Sequence, residues 1–282
     1  MAYTYDVATA VTSDGPGSYR LSIQEGWDHF GAANGGLVMA LATRAMANEV
    51  GPPDPVTITG HYLKAVATGE ALVEVEVIRS AARHSTAFAT FRQGEGTCAV
   101  FLATFGDLAE TDVDLQDGAP PDFPPPDACV GAQVAGVDDV AVPAWTAHLD
   151  LRIPPDLAGF ATGSPSGRGE AGGWIRFADG RPPDAGCLPL LADAFPPAVL
   201  NTGLSIGRVP TMELTVHVRR RPEPGWLLGT FRTRFMSGGY LEEDGELWDP
   251  AGHVVALSRQ LARAPRRRSK EADNETAHGE QV

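Results

Sequence analysis

The sequence predicts an α+β fold made twice over, each half a single buried helix wrapped by an antiparallel sheet. Three observations carry that expectation. The chain repeats itself at a constant offset: Thr59-Gly60-His61 returns as Thr215-Val216-His217, Gly69 as Gly225 and Gly96 as Gly252, always 156 residues on (217 − 61, 225 − 69, 252 − 96). A period that long exceeds the roughly 20–50 residues of a solenoid unit, so it marks a duplicated and fused domain. Each half holds one helix-like run among several strand-like runs, and one helix cannot supply the crossovers of a parallel sheet. With 282 residues, 43% of them hydrophobic, there is material for two domains with proper cores.

Taken in order, the first half opens with strand-like stretches at Thr4–Thr12 and Ser18–Glu25. Asn34-Gly35-Gly36 then leads into Leu37–Val50, whose apolar side chains wrap almost all round, as in a buried helix. Asn34 suits an N-cap, and Gly51-Pro52-Pro53 is a firm stop. Four strand-like runs follow. Val73, Val75 and Val77 alternate with Glu74 and Glu76, the period of a half-buried strand, and Cys98–Phe105 is almost continuously apolar, as a central strand is.

The second half repeats that order, with strands expected near Thr146–Ile153 and Gly173–Ala178 and Arg176 matching Arg20. A short helix is expected over Leu188–Phe195, ended by Pro196-Pro197, because a residue before proline is pushed out of the helical region. Strands near Thr211–Arg220, Trp226–Phe235, Tyr240–Asp249 and Val254–Arg263 complete the copy. The expected domains are 1–106 and 144–264, joined by an extended linker rich in Pro, Gly and Asp at 107–143 and followed by a disordered polar tail at 265–282.

Composition excludes some functions. A net charge of −14 argues against nucleic-acid binding. No apolar run reaches the roughly 18 residues of a membrane span. Met1-Ala2-Tyr3 starts no secretory signal, and the scattered Cys98, Cys129 and Cys187 suit a reducing cytoplasm, so a cytoplasmic location is expected. Basic residues cluster at Arg219-Arg220-Arg221 and at Arg263 with Arg266-Arg267-Arg268. Either cluster is a candidate phosphate receiver or a solvated group at a strand end or tail.

Asn34-Gly35-Gly36 before a buried helix, the strand Thr57-Ile58-Thr59-Gly60-His61-Tyr62-Leu63, and Ala103-Thr104-Phe105-Gly106 resemble the hot-dog fold. The second copy, with Leu191-Ala192-Asp193, Pro210–His217 and Ser258-Arg259-Gln260, resembles the double hot-dog acyl-CoA thioesterases of the TesB-like type. The likeness runs from about Tyr3 to Ala264. It implies hydrolysis of an acyl-CoA thioester to free acid and CoA, in fatty acid metabolism, with neither metal nor organic cofactor. It also implies that the fused halves replace a dimer, and further self-association is left open.

In that family an Asp on the second-half helix, a Thr on the following strand and a Gln on the last strand position the attacking water. Asp193, Thr211 and Gln260 match them. A carboxylate acts as general base, while a hydroxyl and an amide orient water or an oxyanion without adding charge. Without the resemblance, Asp193 also reads as a solvent-facing residue of an amphipathic helix, Thr211 as the mere start of a strand, and Gln260 as pointing outward from an exposed face. At the repeat offset Asp193 corresponds to Leu37 and Gln260 to Thr104, so one site per chain is expected. Asn34, Gly35 and Gly36 are candidate substrate-binding residues, because glycines at a helix start let backbone N–H groups approach a ligand. Close packing explains the same glycines.

His61 and His217, equivalent in the repeat, read as inherited packing, and His29 as a pocket residue at most. Gly203-Leu204-Ser205-Ile206-Gly207 spells a serine-hydrolase motif, but Pro-Pro precedes it and a strand follows, whereas that mechanism needs strand, turn, then helix. Cys187 lacks a local His or Asn partner. The alternatives to a thioesterase are a hydratase of enoyl thioesters, for which Asp28-His29 is the candidate pair, and an acyl-CoA-binding protein without chemistry. Adjacent side chains do not face each other on a helix or strand, which weakens the hydratase pair.

Overall fold

The computed structural model describes residues 2–29, 31–109, 114–132 and 143–264, without the side chain of residue 29. The expected tail, Arg266–Arg268 and the His29 side chain lie outside the described residues. In chain order the elements are α1 (Thr4–Ala8), β1 (Thr12–Ser13), β2 (Ser18–Ile23), β3 (Asp28–His29), β4 (Ala32–Ala33), α2 (Gly35–Ala47), β5 (Asp54–Tyr62), β6 (Gly69–Arg79), β7 (Ser85–Gln93) and β8 (Gly96–Gly106). Then come β9 (Val130–Gly131), β10 (Leu149–Ile153), β11 (Glu170–Phe177), α3 (Leu188–Ala192), β12 (Thr211–Val218), β13 (Leu227–Arg232), β14 (Met236–Ser237), β15 (Tyr240–Trp248) and β16 (Val254–Arg263).

One antiparallel sheet joins both halves in the order β1-β2-β6-β7-β8-β5-β12-β16-β15-β13-β11-β10-β9. Strands β2-β6-β7-β8-β5 of the first half are mirrored by β11-β13-β15-β16-β12 of the second. The halves meet where β5 pairs with β12, and there Thr59 stands opposite Thr215, its own copy (215 − 59 = 156). Their hydroxyls bond at 2.9 Å. A local two-fold axis therefore passes between these threonines, and the inner face of the sheet wraps the helices of both halves. This is the double hot-dog architecture.

The core follows the apolar pattern. Leu37, Met39, Leu41 and Met46 of α2 are fully buried with Phe91, Phe101 and Phe105 of the surrounding strands. Asn34 caps α2 by accepting the Leu37 N–H at 2.9 Å. Helices α2 and α3 pack against each other. A Cβ on Gly36 would lie 2.7 Å from the Pro189 carbonyl oxygen and 2.9 Å from Leu190 Cα, so glycine there is what allows the helices to touch.

Several local expectations change. Thr4–Ala8 is a helical turn rather than a strand, because the second half captures it: Asp179 accepts from Thr4 N–H at 2.7 Å, and Tyr5 packs on Phe177 at 5.2 Å between ring centres. Arg181, 8% exposed, secures the same contact through Asp6 and Asp184. Residues Ala144–His148 form a 3-10 turn, so the strand predicted from Thr146 starts at Leu149. The second-half helix ends at Ala192, and Asp193 is its C-cap. The segment between the halves contributes β9, which pairs with β10. His61 and His217 are exposed on the outer face of the sheet rather than packed.

Candidate active site

A cavity of about 790 Å³ opens where α2, the α3–β12 connection and strands β12, β15 and β16 converge. Asn34, Gly35, Asp193, Thr211 and Gln260 line it together, although they come from both halves. Val38, Leu151, Ile153, Phe160, Phe195 and Leu200 make most of the remaining wall apolar.

Asp193 is held from the opposite half of the chain. Its Oδ2 accepts from the Gly36 N–H at 2.7 Å and from Asn34 Nδ2 at 3.2 Å, and Asn34 Nδ2 also reaches the Asp193 carbonyl at 3.2 Å. The carboxylate thus sits at the N-terminus of α2, where unpaired N–H groups and the helix dipole favour negative charge. Burial works the other way and wins, pushing the Asp193 carboxyl up to about 6 against the lowering effect of the Gly36 and Asn34 bonds. No described residue bonds Oδ1, which leaves that oxygen free for a water. Tyr62 closes one side, donating to the Gly35 carbonyl at 2.8 Å; burial, then the Asp193 charge, raises its phenol well above its usual range.

Thr211 begins β12 and Gln260 lies on β16, and the Gln260 amide donates to the Thr211 hydroxyl. Their strands pair directly, with Leu214 opposite Gln260, so the two side chains meet diagonally across the ladder. Of the glycine pair, Gly36 spends its N–H on Asp193, whereas the Gly35 N–H bonds to no described residue and borders the cavity.

The other candidates separate from this cavity. Arg221 grips the buried Asp54 through two nitrogens (Nη2 at 2.7 Å) and also reaches Asp107, while Arg220 bonds Asp114, so Arg221 ties the halves together and Arg220 holds the segment between them. Ser205 is exposed, with a 3-10 turn before it and no helix after it. Cys187 is wholly buried, and burial followed by the Asp184 charge pushes its thiol far above the thiolate range. The Asp28 carboxylate accepts from the Gly31 N–H at 3.0 Å.

A buried cavity carboxyl escaped the sequence reading, as did the exposed Lys64 and Arg208 at the cavity's border. Glu243 on β15 lines the same space, 8% exposed, and its Oε2 accepts from the Ala198 N–H at 2.6 Å. The signal was there: with Leu241, Gly245 and Leu247 facing inward, a period of two puts Glu243 on the inner face as well.

Comparison with known proteins adds the family. A family model described as the acyl-CoA thioesterase N-terminal domain matches residues 23–106, and one described as the acyl-CoA thioesterase C-terminal domain matches 117–264. No curated protein matches. Among solved structures, a candidate thioesterase II of Thermobifida fusca YX is 29% identical with a TM-score of 0.84, over 94% of this chain and 98% of that one. A conserved protein of unknown function with a hot-dog fold from Alicyclobacillus acidocaldarius is 21% identical with a TM-score of 0.82, over 95% and 100%. The acyl-CoA thioesterase II TesB2 of Mycobacterium marinum is 19% identical with a TM-score of 0.70, over 94% and 99%. The last two speak for the fold.

Proposed function

The chain belongs to the acyl-CoA thioesterase family and is a thioester hydrolase, and from that premise we propose that it cleaves an acyl-CoA to free acid and CoA with Asp193 as general base. The observation that carries this reading is the grip of the α2 N-terminus on Asp193 beside the Thr211–Gln260 pair, at the wall of one largely apolar cavity. The apolar wall suits an acyl chain, and the polar cluster suits its thioester.

In the reaction, a water held between Asp193 Oδ1 and the Thr211–Gln260 pair attacks the thioester carbonyl carbon. Its proton passes to Asp193 as the new C–O bond forms. The carbonyl oxygen gathers negative charge beside the Gly35 N–H, at the positive end of α2. Collapse breaks the C–S bond, and the departing thiolate takes the proton from Asp193, which restores the carboxylate. Water is consumed, acid and thiol are produced, and nothing is oxidised. Asn34 and Gly36 act as positioning residues, since they orient Asp193 and touch no reacting atom.

The net charge of −14 sits badly with an anionic substrate, so local cations matter. Lys64 and Arg208 border the cavity, are exposed, and form no ion pair with a described residue. They are placed to meet the phosphates of CoA at the mouth. Among the described residues no helix is long and apolar enough to cross a membrane.

Thiol release from short-, medium- and long-chain acyl-CoAs tests the proposal, with wild type beside Asp193→Ala. Loss of a positioned general base costs about 10²–10⁴ in rate, with CoA-ester binding retained. Near-normal turnover by the purified variant would refute the role given to Asp193. Silence of the wild type across the panel would turn attention to a binding protein, and loss of enoyl absorbance without thiol release to a hydratase.

A further inference from the structure

The mechanism above gives Glu243 no task, yet a buried carboxyl is costly unless something uses or compensates it. It lies opposite Gln260 in the β15–β16 register, so the two side chains share the inner face of the sheet beside the reacting centre. Its bond to Ala198 holds the start of the 3-10 turn Ala198–Thr202, directly after Pro196-Pro197, and both prolines and Leu200 are cavity wall. The first half has Ala87 at the corresponding position (243 − 156 = 87), so this carboxyl, like Asp193, belongs to one copy only.

The charges that act on Glu243 are both negative. Asp193 comes from the end of α3 and Glu242 from its own strand; burial first, then these two anions, push the Glu243 carboxyl up to about 7. The only cations that border the cavity among the described residues, Lys64 and Arg208, are exposed.

We propose that Glu243 is a specificity-determining residue that reserves the cavity for uncharged acyl groups and turns away acyl groups ending in a carboxylate. This rests on the thioesterase reading for the identity of the ligand. An acyl carboxylate would bring a third anion into a space that already holds Asp193 and Glu243, with apolar walls that cannot screen it. An alkyl chain meets no such penalty. Discrimination therefore strengthens as pH rises through about 7 and Glu243 ionises.

The experiment compares pentanoyl-CoA with glutaryl-CoA, which differ by the terminal carboxylate. Binding is measured at pH 8 in Asp193→Asn protein, so that turnover does not consume the ligand, with and without Glu243→Gln. Glutamine keeps an oxygen for the Ala198 N–H and loses only the charge. The preference for pentanoyl-CoA should fall about tenfold in the Glu243→Gln protein, and the gap should narrow at pH 6. An unchanged preference in folded Glu243→Gln protein overturns the proposal, because a purely structural role in holding Ala198 survives that substitution. Wild-type silence in thiol release sinks the thioesterase reading while the binding ratio still judges Glu243. Failure of both esters to bind overturns both.

Discussion

The two halves share a sheet and differ in what lies under it. In the first half α2 runs unbroken over Gly35–Ala47 and fills its sheet with Leu, Met and Ala. The same stretch of the second half, 191–203 by the repeat offset, contains Pro196-Pro197 and breaks into the end of α3, the Asp193 cap and a 3-10 turn. Proline removes a donor and clashes with the preceding turn, so a continuous helix cannot form there. Space opens in its place, lined by Pro196, Pro197 and Leu200, and the polar residues collect around it. One copy supplies solid core and a helix N-terminus; the other supplies the hole and the carboxylate proposed as base. The difference teaches that duplication provided two frames and that the cavity opened in the one whose helix is broken.

The comparison breaks most severely if the missing carboxylate is put into the first half. Leu37 is 1% exposed in the core, so Leu37→Asp should cost roughly 3–5 kcal/mol and confer no second site, read as a loss in thermal midpoint without gain in thiol release. A folded variant with extra activity would show the halves to be interchangeable. Next in size is the pair opposite Asp193. Gln260→Ala should lower kcat by about 10²–10³ with KM little changed, whereas Thr104→Ala at the corresponding first-half position should leave kcat alone.

The contact between the halves is sharpened by Gly36→Ala. The added Cβ would lie 2.8 Å from Asp193 Cβ, so helix and base must move apart, costing about 1–3 kcal/mol in stability and a larger share of turnover than of binding. The smallest expected effect is a pH dependence. Asp193 must be ionised to accept a proton, and burial raises its carboxyl to about 6, so kcat/KM should climb with pH below that value and level off above it. A rate independent of pH between 4 and 7 would remove Asp193 from the chemistry.

Much of this was legible in the residues. The offset of 156 placed two equivalent halves before any coordinates, and the paired Thr59 and Thr215 on the two-fold axis express it in three dimensions. Resemblance supplied Asp193, Thr211 and Gln260, which the fold brings to one cavity. Glu243 was legible in principle from strand phase, but a run of Glu-Glu-Asp reads as a solvated edge when burial is unknown. The turn at Thr4–Ala8 was not legible, because what makes it helical is Asp179 and Arg181, 175 residues away along the chain.

By itself the sequence determined that the chain repeats, that one long buried helix stands among many strands, and which copy carries Asp193 and Gln260, since these rest on local periodicity, proline and the repeat. Only the tertiary structure decided what those residues do for one another. It brought Gly36 and Asn34 to Asp193 as donors, left the Gly35 N–H without a described partner beside the cavity, and spent Arg220 and Arg221 on Asp114, Asp54 and Asp107. The physical reason is that a hydrogen bond or a buried charge is defined by its partner. Here the partners of Asp193 stand 157 and 159 residues away along the chain, beyond the reach of any local pattern.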